Sequence, residues 1–464
     1  MYKKFLFFVA IVFAVCLSFA LYTAARADEP PEPEEVGLQS KYVGSATCAR
    51  CHANTYASFS QTWHPNMLRR ADDTNILGDF NSGDPDLVFT RDQVQWVLGG
   101  QYKQRYLTEV DGELFVLLSE WNVETQDWTA YVTGEWIPYE GQIWRNRPYG
   151  DYCAGCHTTG YDPASQTWVE PGVGCEACHG PGADHVASTG NRTKIINPAR
   201  LDFQEQADVC AQCHSRGTDP SGDHPYPVGY HPGGPAKLNE TFILSTNSDD
   251  FWPDGTVKRH HMQFQDWQQG THKDSVSCIF CHTSHSSGET DHQTRMVDND
   301  RCLVCHQNQA DLAEHIPFMA SAIDKVNCTD CHMPQISKLV PSDFQILSHT
   351  FRPPNPALSI AYGGQEQMPN ACNICHADQS PEWAAAILGQ EIPQGQATRV
   401  PLPTPLPVST QVVPVANISA EGGPPSLSQV SASGPNIWLW GLSIAVLVGI
   451  FSYLVWRRQK VSLT

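Results

Sequence analysis

Sixteen of the 17 cysteines in this 464-residue chain fall in eight copies of one pattern, C-x-x-C-H. The first four copies are Cys48/Cys51/His52, Cys153/Cys156/His157, Cys175/Cys178/His179 and Cys210/Cys213/His214. The last four are Cys278/Cys281/His282, Cys302/Cys305/His306, Cys328/Cys331/His332 and Cys372/Cys375/His376. Random placement of the chain's own Cys and His gives about 0.03 such matches, so the repeat needs a chemical reason. Two thiols at this spacing add to the two vinyl groups of a haem, and the adjacent imidazole reaches the iron as its proximal ligand. Zinc sites also use C-x-x-C, but they need two pairs, or a pair with distant His, and no His behind every second Cys. A thioredoxin-like redox site has one C-x-x-C per domain, and disulfides impose no common spacing. The motifs therefore predict eight covalently attached haem c groups. There is no C-x-x-C-K variant to announce a specialised haem.

Eleven histidines lie outside the motifs, more than the eight second axial ligands that eight irons can use. All-bis-His coordination is thus permitted, and it makes low-spin irons suited to electron transfer. His64 follows His52 by twelve residues, His185 follows His179 by six, and His272 precedes Cys278 by six. His285 follows His282 by three, His315 precedes Cys328 by thirteen, and His349 stands before Thr350-Phe351-Arg352-Pro353-Pro354. His260 and His261 are adjacent, so one of them binds; His261 is the choice. His224, His231 and His292 sit in polar or Pro/Gly-rich loops. Thioether ligation by Met67 or Met319 ranks below imidazole.

The elements that must position these groups are read from the rest of the chain. Residues 41–390 form the octahaem region, mostly short helices and irregular chain packed on porphyrin. The long gap between His52 and Cys153 holds a β-rich insert at about 85–145. There Arg105–Val110 and Glu113–Leu118 flank Asp111-Gly112, which predicts a hairpin with a type I′ turn. Trp121 to Trp128 and Ala130–Val132 predict a further strand pair, and Trp96, Trp121, Trp128, Trp136 and Trp144 an aromatic core. The insert is read as a packing module in preference to a cap over the first haems.

Residues 1–27 read as a secretory signal: Lys3 and Lys4, an apolar run from Phe5 to Tyr22, then Ala25-Arg26-Ala27. An uncleaved anchor is the alternative. Cys16 lies inside that run after Val15, where a lipoprotein site would want Gly or Ala, and is discarded with it. Residues 28–40 are an acidic, Pro-rich lead-in, and 391–436 a Pro/Ser-rich tether. Residues 437–456 are apolar, uninterrupted by charge and flanked by Trp438, Trp440, Tyr453 and Trp456, which predicts one transmembrane helix. Arg457, Arg458 and Lys460 in the tail 457–464 then put the C-terminus in the cytoplasm and the haem region outside. The formal charge of −20 excludes a nucleic-acid partner, whose phosphates need a basic surface.

The segment Tyr42-Val43-Gly44-Ser45-Ala46-Thr47-Cys48, with Trp63-His64, resembles the first-haem segment of the cytochrome c-554-like family. Val173-Gly174-Cys175 through Gly180-Pro181-Gly182, Val276-Ser277-Cys278 through His285, and Cys328 through Pro334 are similar to later segments. The resemblance covers roughly 41–378 and implies a haem-packed periplasmic electron-transfer domain. It implies distal roles for His64, His185, His272, His285, His315 and His349. Relatives include electron carriers and also reductases or oxidases of small nitrogen and sulfur compounds, so membership leaves activity open.

The first expectation is a membrane-anchored octahaem cytochrome relaying electrons between a membrane quinol-oxidising complex and a periplasmic or extracellular acceptor. The second is an oxidoreductase acting on nitrite, hydroxylamine or a sulfur oxyanion at one open-site haem, with His224, His231 and Arg192 as candidates by elimination. The third is a subunit that docks a partner through its aromatic insert.

Overall fold

The computed structural model describes residues 38–131, 148–288, 292–338 and 345–392, with Gly395 and Arg399. These lie in one compact unit, Met1–Ser409. The signal segment, most of the acidic lead-in and the tether, the apolar segment 437–456, the tail, Trp136 and Trp144 lie outside the described residues. Among the described residues, no helix is long and apolar enough to cross a membrane.

Helices are short, and most serve a motif. They include α1 (Ser45–Ala49), α2 (Cys175–His179), α3 (Phe203–Ala211), α4 (Cys278–Cys281), α5 (Cys328–His332), α6 (Pro356–Ala361), α7 (Ala371–Cys375) and α8 (Pro381–Ile387). The turn geometry is local. The amide of the motif His donates to the carbonyl of the first Cys at 2.9 Å in motifs 1, 4, 6 and 8 and at 3.0 Å in motif 5. One such turn sets both thiols and the imidazole on one side, since positions i, i+3 and i+4 share a helix face. The caps are local as well. The Asn370 side chain accepts from Asn373 N at the start of α7, and Ser380 from Trp383 N at the start of α8.

The insert is a five-stranded antiparallel meander, β1 (Leu68–Arg70), β2 (Trp96–Gly99), β3 (Lys103–Val110), β4 (Glu113–Asn122) and β5 (Asp127–Ala130), in spatial order β1-β2-β3-β4-β5. Asp111 (φ 56°) and Gly112 (φ 86°) both take the left-handed conformation that a type I′ turn requires, so the hairpin forms where the alternation puts it. Two details differ from expectation. The sheet starts at Leu68, well before residue 85, because β1 pairs with β2. Trp121 and Trp128 do not form a second hairpin with Ala130–Val132. β4 runs on through Trp121, which pairs with Trp128 of β5.

The pleat splits the aromatics between two cores. On one face Trp121 and Trp128 pack with Phe89, Val97, Tyr106 and Leu117 under the segment that joins β1 to β2. On the other, Trp96 packs with Leu98, Leu107, Tyr149 and Ala154, and Cys153 joins them. The expected single tryptophan core is thus two half-cores. The second docks the sheet onto motif 2.

Candidate functional site

Six motif histidines face a second imidazole. Ring centroids lie 6.5 Å apart for His52 and His185, 6.3 Å for His214 and His64, and 6.0 Å for His179 and His285. They lie 6.4 Å apart for His282 and His349, 6.1 Å for His306 and His272, and 6.2 Å for His332 and His315. An imidazole nitrogen sits about 1.2 Å from its ring centre and bonds a transition metal at about 2 Å, so two rings on one iron stand roughly 6.4 Å apart. All six gaps have that span.

Several of these rings are already oriented for a metal. Nδ1 of His179 meets Ile196 O at 2.9 Å, His185 meets Asn191 O at 2.9 Å, His282 meets His292 O at 2.9 Å and His349 meets Leu347 O at 3.0 Å. A carbonyl at Nδ1 fixes that nitrogen as the donor and leaves Nε2 bare for iron. Burial keeps the rings neutral, which ligation requires: it pushes His64, His157 and His349 down to about 4. Nδ1 of His64, His157 and His272 is buried with no hydrogen-bond partner. Five of the six ring pairs, all but His52 and His185, border one cavity of about 2060 Å³ with thiols of motifs 2 to 7, and the sixteen motif thiols are all free. Free thiols, bare nitrogens and a large shaped space fit covalent haem.

The motifs touch in a definite order. Thiols of different motifs lie close enough to interact: Cys48 with Cys175, Cys156 with Cys213, Cys210 with Cys278 and Cys302 with Cys328, and Cys213 Sγ also donates to Cys156 O at 3.8 Å. Cys178 lies within electrostatic range of Cys210 and Cys213, Cys281 of Cys305, and Cys331 of both Cys372 and Cys375. Helix contacts agree, α1 with α2, α3 with α4 and α5 with α7. The motifs therefore run 1-3-4-5-6-7-8 as a line, and motif 2 branches from motif 4.

The attachment thiols are not equally enclosed. Cys51, Cys305 and Cys375 are exposed, while the other thirteen motif thiols are half-buried. Cys51 and Cys375 belong to the two ends of the line, where a motif has a neighbour on one side only. Cys305 follows the exposed Val304 on the outer side of motif 6. Each is the second cysteine of its motif. Its partner, Cys48, Cys302 or Cys372, is the half-buried one.

Among the described residues, two motif histidines, His157 and His376, face no second imidazole. Trp383 lies 5.1 Å from His376, ring to ring. His157 borders the same cavity as a basic group drawn from β3 and from residues 216–261: Lys103, Arg105, Arg216, Arg259, His260 and His261. Strand alternation sets Lys103 and Arg105 on the motif side of β3. Glu120 of β4, buried, accepts from Arg105 Nε at 2.8 Å and pairs with Lys103 Nζ at 3.5 Å. The Arg105 guanidinium lies 3.8 Å over the Tyr131 ring, and Arg259 Nε is 3.7 Å from Asp250. Burial pushes the Lys103 ammonium down to about 7 and holds His260 and His261 far below the usual imidazole range. His261 takes φ 49°, a strained value for a residue with a Cβ.

The site residues thus fall into groups. His64, His185, His272, His285, His315 and His349 each stand opposite a motif histidine. His261 lies in the basic group by His157, within electrostatic range of the His157 and His214 rings. His224 stacks on Tyr226 at 5.1 Å, His231 packs against Gly234, and Arg192 is exposed in the turn Arg192–Lys194. Sequence reasoning missed Lys103, Arg105, Glu120, Tyr131, Arg216 and Arg259. Charged residues on the inner face of an apolar strand were the available signal for the first three.

A space built from thiols and paired imidazoles has the chemistry of a c-type haem site. Residues 144–180 match the family "Cytochrome c554 and c-prime". The fold is similar to that of the outer cell wall cytochrome OcwA, with TM-score 0.61 and 22% identity over 75% of this chain and 86% of that one. An undecahaem cytochrome from the S-layer of Carboxydothermus ferrireducens aligns with TM-score 0.41 and 19% identity over 74% of this chain and 59% of that one. The octahaem sulfite reductase MccA of Wolinella succinogenes aligns with TM-score 0.39 and 17% identity over 67% and 58%. The chain thus has a fold similar to that of a multihaem cytochrome, and its 144–180 segment is cytochrome c554-like.

Proposed function

We propose that the chain carries eight haem c groups and relays electrons outside the cytoplasmic membrane, exported by residues 1–27 and held there by a C-terminal helix at 437–456. The observation that carries the relay is the series of close approaches between motif thiols that links all eight motifs. When bound, the haems supply iron centres that gain and lose single electrons. The chain's own residues do the rest. Each Cys pair would hold one haem, each facing imidazole pair would ligate one iron, and the carbonyls at Nδ1 set ring orientation. His52, His157, His179, His214, His282, His306, His332 and His376 serve as proximal ligands. His64, His185, His272, His285, His315 and His349 serve as distal ones. The partners would be a membrane quinol-oxidising complex and a periplasmic or extracellular acceptor, with the tether 391–436 giving reach.

The test is flash reduction of the holoprotein with less than one electron per chain. A relay redistributes that electron among the haems by potential, as one coupled relaxation. Haems that reduce independently, with no redistribution, would overturn the reading.

A second reading is favoured by one observation: His157 has no facing imidazole and shares its cavity with four basic side chains, Lys103, Arg105, Arg216 and Arg259. Such a group suits a small oxyanion such as nitrite or sulfite, or the haem's own propionates. A high-spin signal that shifts on adding nitrite, hydroxylamine or sulfite supports a reductase; an unshifted signal leaves the cations to the propionates.

A further inference from the structure

The line of motifs has two ends, motif 1 and motif 8, and the chain around them differs in charge make-up. From Pro353 to Ile392 there are Glu366, Asp378, Glu382 and Glu391 and no Lys or Arg. Around motif 1 the charges are mixed: Lys41, Arg50, Arg69 and Arg70 stand with Asp72 and Asp73 in the chain, and Glu176 and Glu170 accept from the amides of Val43, Gly44 and Ser45. Cys51 at one end and Cys375 at the other are both exposed, so each end has an attachment cysteine at the surface. Charge and apolar surface tell the two ends apart. All four acids at the motif 8 end are exposed. So are the apolar side chains of Ile374 (37%), Ile387 (38%) and Ile392 (45%). Exposed isoleucines rimmed by charge of one sign have the make-up of a transient protein contact.

The surface is also fixed in shape. The Asn370 side chain donates to Ser359 Oγ at 2.8 Å and to Asn373 Oδ1 at 2.9 Å, which ties α7 to α6. Ala384 and Ala385 bury one side of α8, which packs on α6. Glu382 and Ile387 are left outward. A surface held this way loses little freedom on docking.

We propose that the surface carrying Ile374, Asp378, Glu382, Ile387 and Glu391 is the docking face for a basic one-electron carrier protein, which exchanges electrons with the haem held by Cys372, Cys375 and His376. This rests on the relay reading. One electron crosses per encounter, one centre being oxidised and the other reduced, with no bond made or broken. Charge complementarity selects the partner: cationic rims are steered to this end, where residues 353–392 carry acids and no Lys or Arg.

The test uses full-chain holoprotein and a small basic c-type cytochrome in its reduced form. Two quantities are read, the second-order rate of electron transfer and the dissociation constant of the complex. The wild-type rate falls steeply as salt rises. Asp378→Lys/Glu382→Lys/Glu391→Lys slows the reaction by about tenfold at low salt and weakens the complex in step. The neutral set Asp378→Asn/Glu382→Gln/Glu391→Gln gives an intermediate loss and guards against misfolding. The control Asp73→Lys/Asp79→Lys/Asp86→Lys makes the same change in net charge on the β-sheet insert and shifts the rate less than about twofold. Equal losses in both reversal sets, or none in the motif 8 sets, would overturn the proposal. Flash redistribution in the same variants separates the two claims. If it persists while docking is unaffected, the port alone fails; if it is absent in wild type, the relay fails.

Discussion

The imidazoles of His179 and His285 face each other at 6.0 Å with their planes 6° apart. His285 comes from a different motif's neighbourhood, three residues after His282, so this pair ties motif 5's chain to motif 3's haem. His285→Ala removes one axial nitrogen and leaves the others in place. The expected outcome is a holoprotein with its full complement of haem in which one low-spin EPR component is replaced by a high-spin one. Loss of two components, or of none, would contradict the pairing.

The planes of the pairs fall into two classes. They lie 19° apart for His52/His185, 6° for His179/His285, 25° for His282/His349 and 16° for His315/His332. They lie 75° apart for His64/His214 and 70° for His272/His306. Near-parallel rings split the two π-type iron d orbitals, and near-perpendicular rings leave them almost degenerate. Low-temperature EPR should therefore give rhombic low-spin signals from four irons and large-g, strongly anisotropic signals from two, with the ligand set the same in all. His64→Met should remove one of the large-g signals and leave the rhombic set unchanged.

The sheet's aromatic half-core hangs on Trp128. Its ring is 2% exposed, contacts Phe80, Phe89, Tyr106 and Trp121, and its Nε1 donates to Asp79 O at 2.9 Å. Trp128→Ala should cost about 3–5 kcal/mol in urea unfolding of the insert. The haem spectrum should hardly change, because the other half-core is the one that meets motif 2. A cost under about 1 kcal/mol would mean that this face is not a packed core.

Burial pushes the Asp208 carboxyl up to about 6, opposed by its hydrogen bond from Gln204, while in an unfolded chain it titrates at about 3.9. The folded state holds that proton more tightly. The stability it contributes is fully present below about pH 4 and is lost as the pH rises through about 6. Asp208→Asn should flatten the fall in urea midpoint between those values, and the variant should be the more stable protein at about pH 7. Parallel pH profiles for the two proteins would contradict the assignment.

Much of the site was legible because covalent chemistry imposes short local spacing. The attachment triads and the Asp111-Gly112 turn are set within a few residues, and the sequence carries them in full. Which thiols stay at the surface was not legible, since Cys51 and Cys48 share one motif and differ only in what the fold lays against them. The pairing of distal with proximal rings was hidden too. His185 lies six residues from His179 but faces His52, and His64 lies twelve from His52 but faces His214. Such exchanges are tertiary, set by how the motifs stack. The basic group at His157 was invisible for a related reason. Lys103, Arg216 and Arg259 are far apart in the chain, and only the register of β3 on β4 and the packing of the sheet on motif 2 bring them together. The sheet's true start at Leu68 was missed because a three-residue strand leaves too short an alternation to read.

The central claim is that eight motifs hold eight haems, six of them between imidazole pairs and two, at His157 and His376, with no second imidazole. It is tested most directly by intact mass and iron content of the purified holoprotein together with quantified EPR and near-infrared magnetic circular dichroism. The account predicts a mass increment of eight haems and eight irons per chain, six of them low-spin with two histidine ligands. Eight bis-histidine irons, or fewer than eight haems on a fully processed chain, would contradict it.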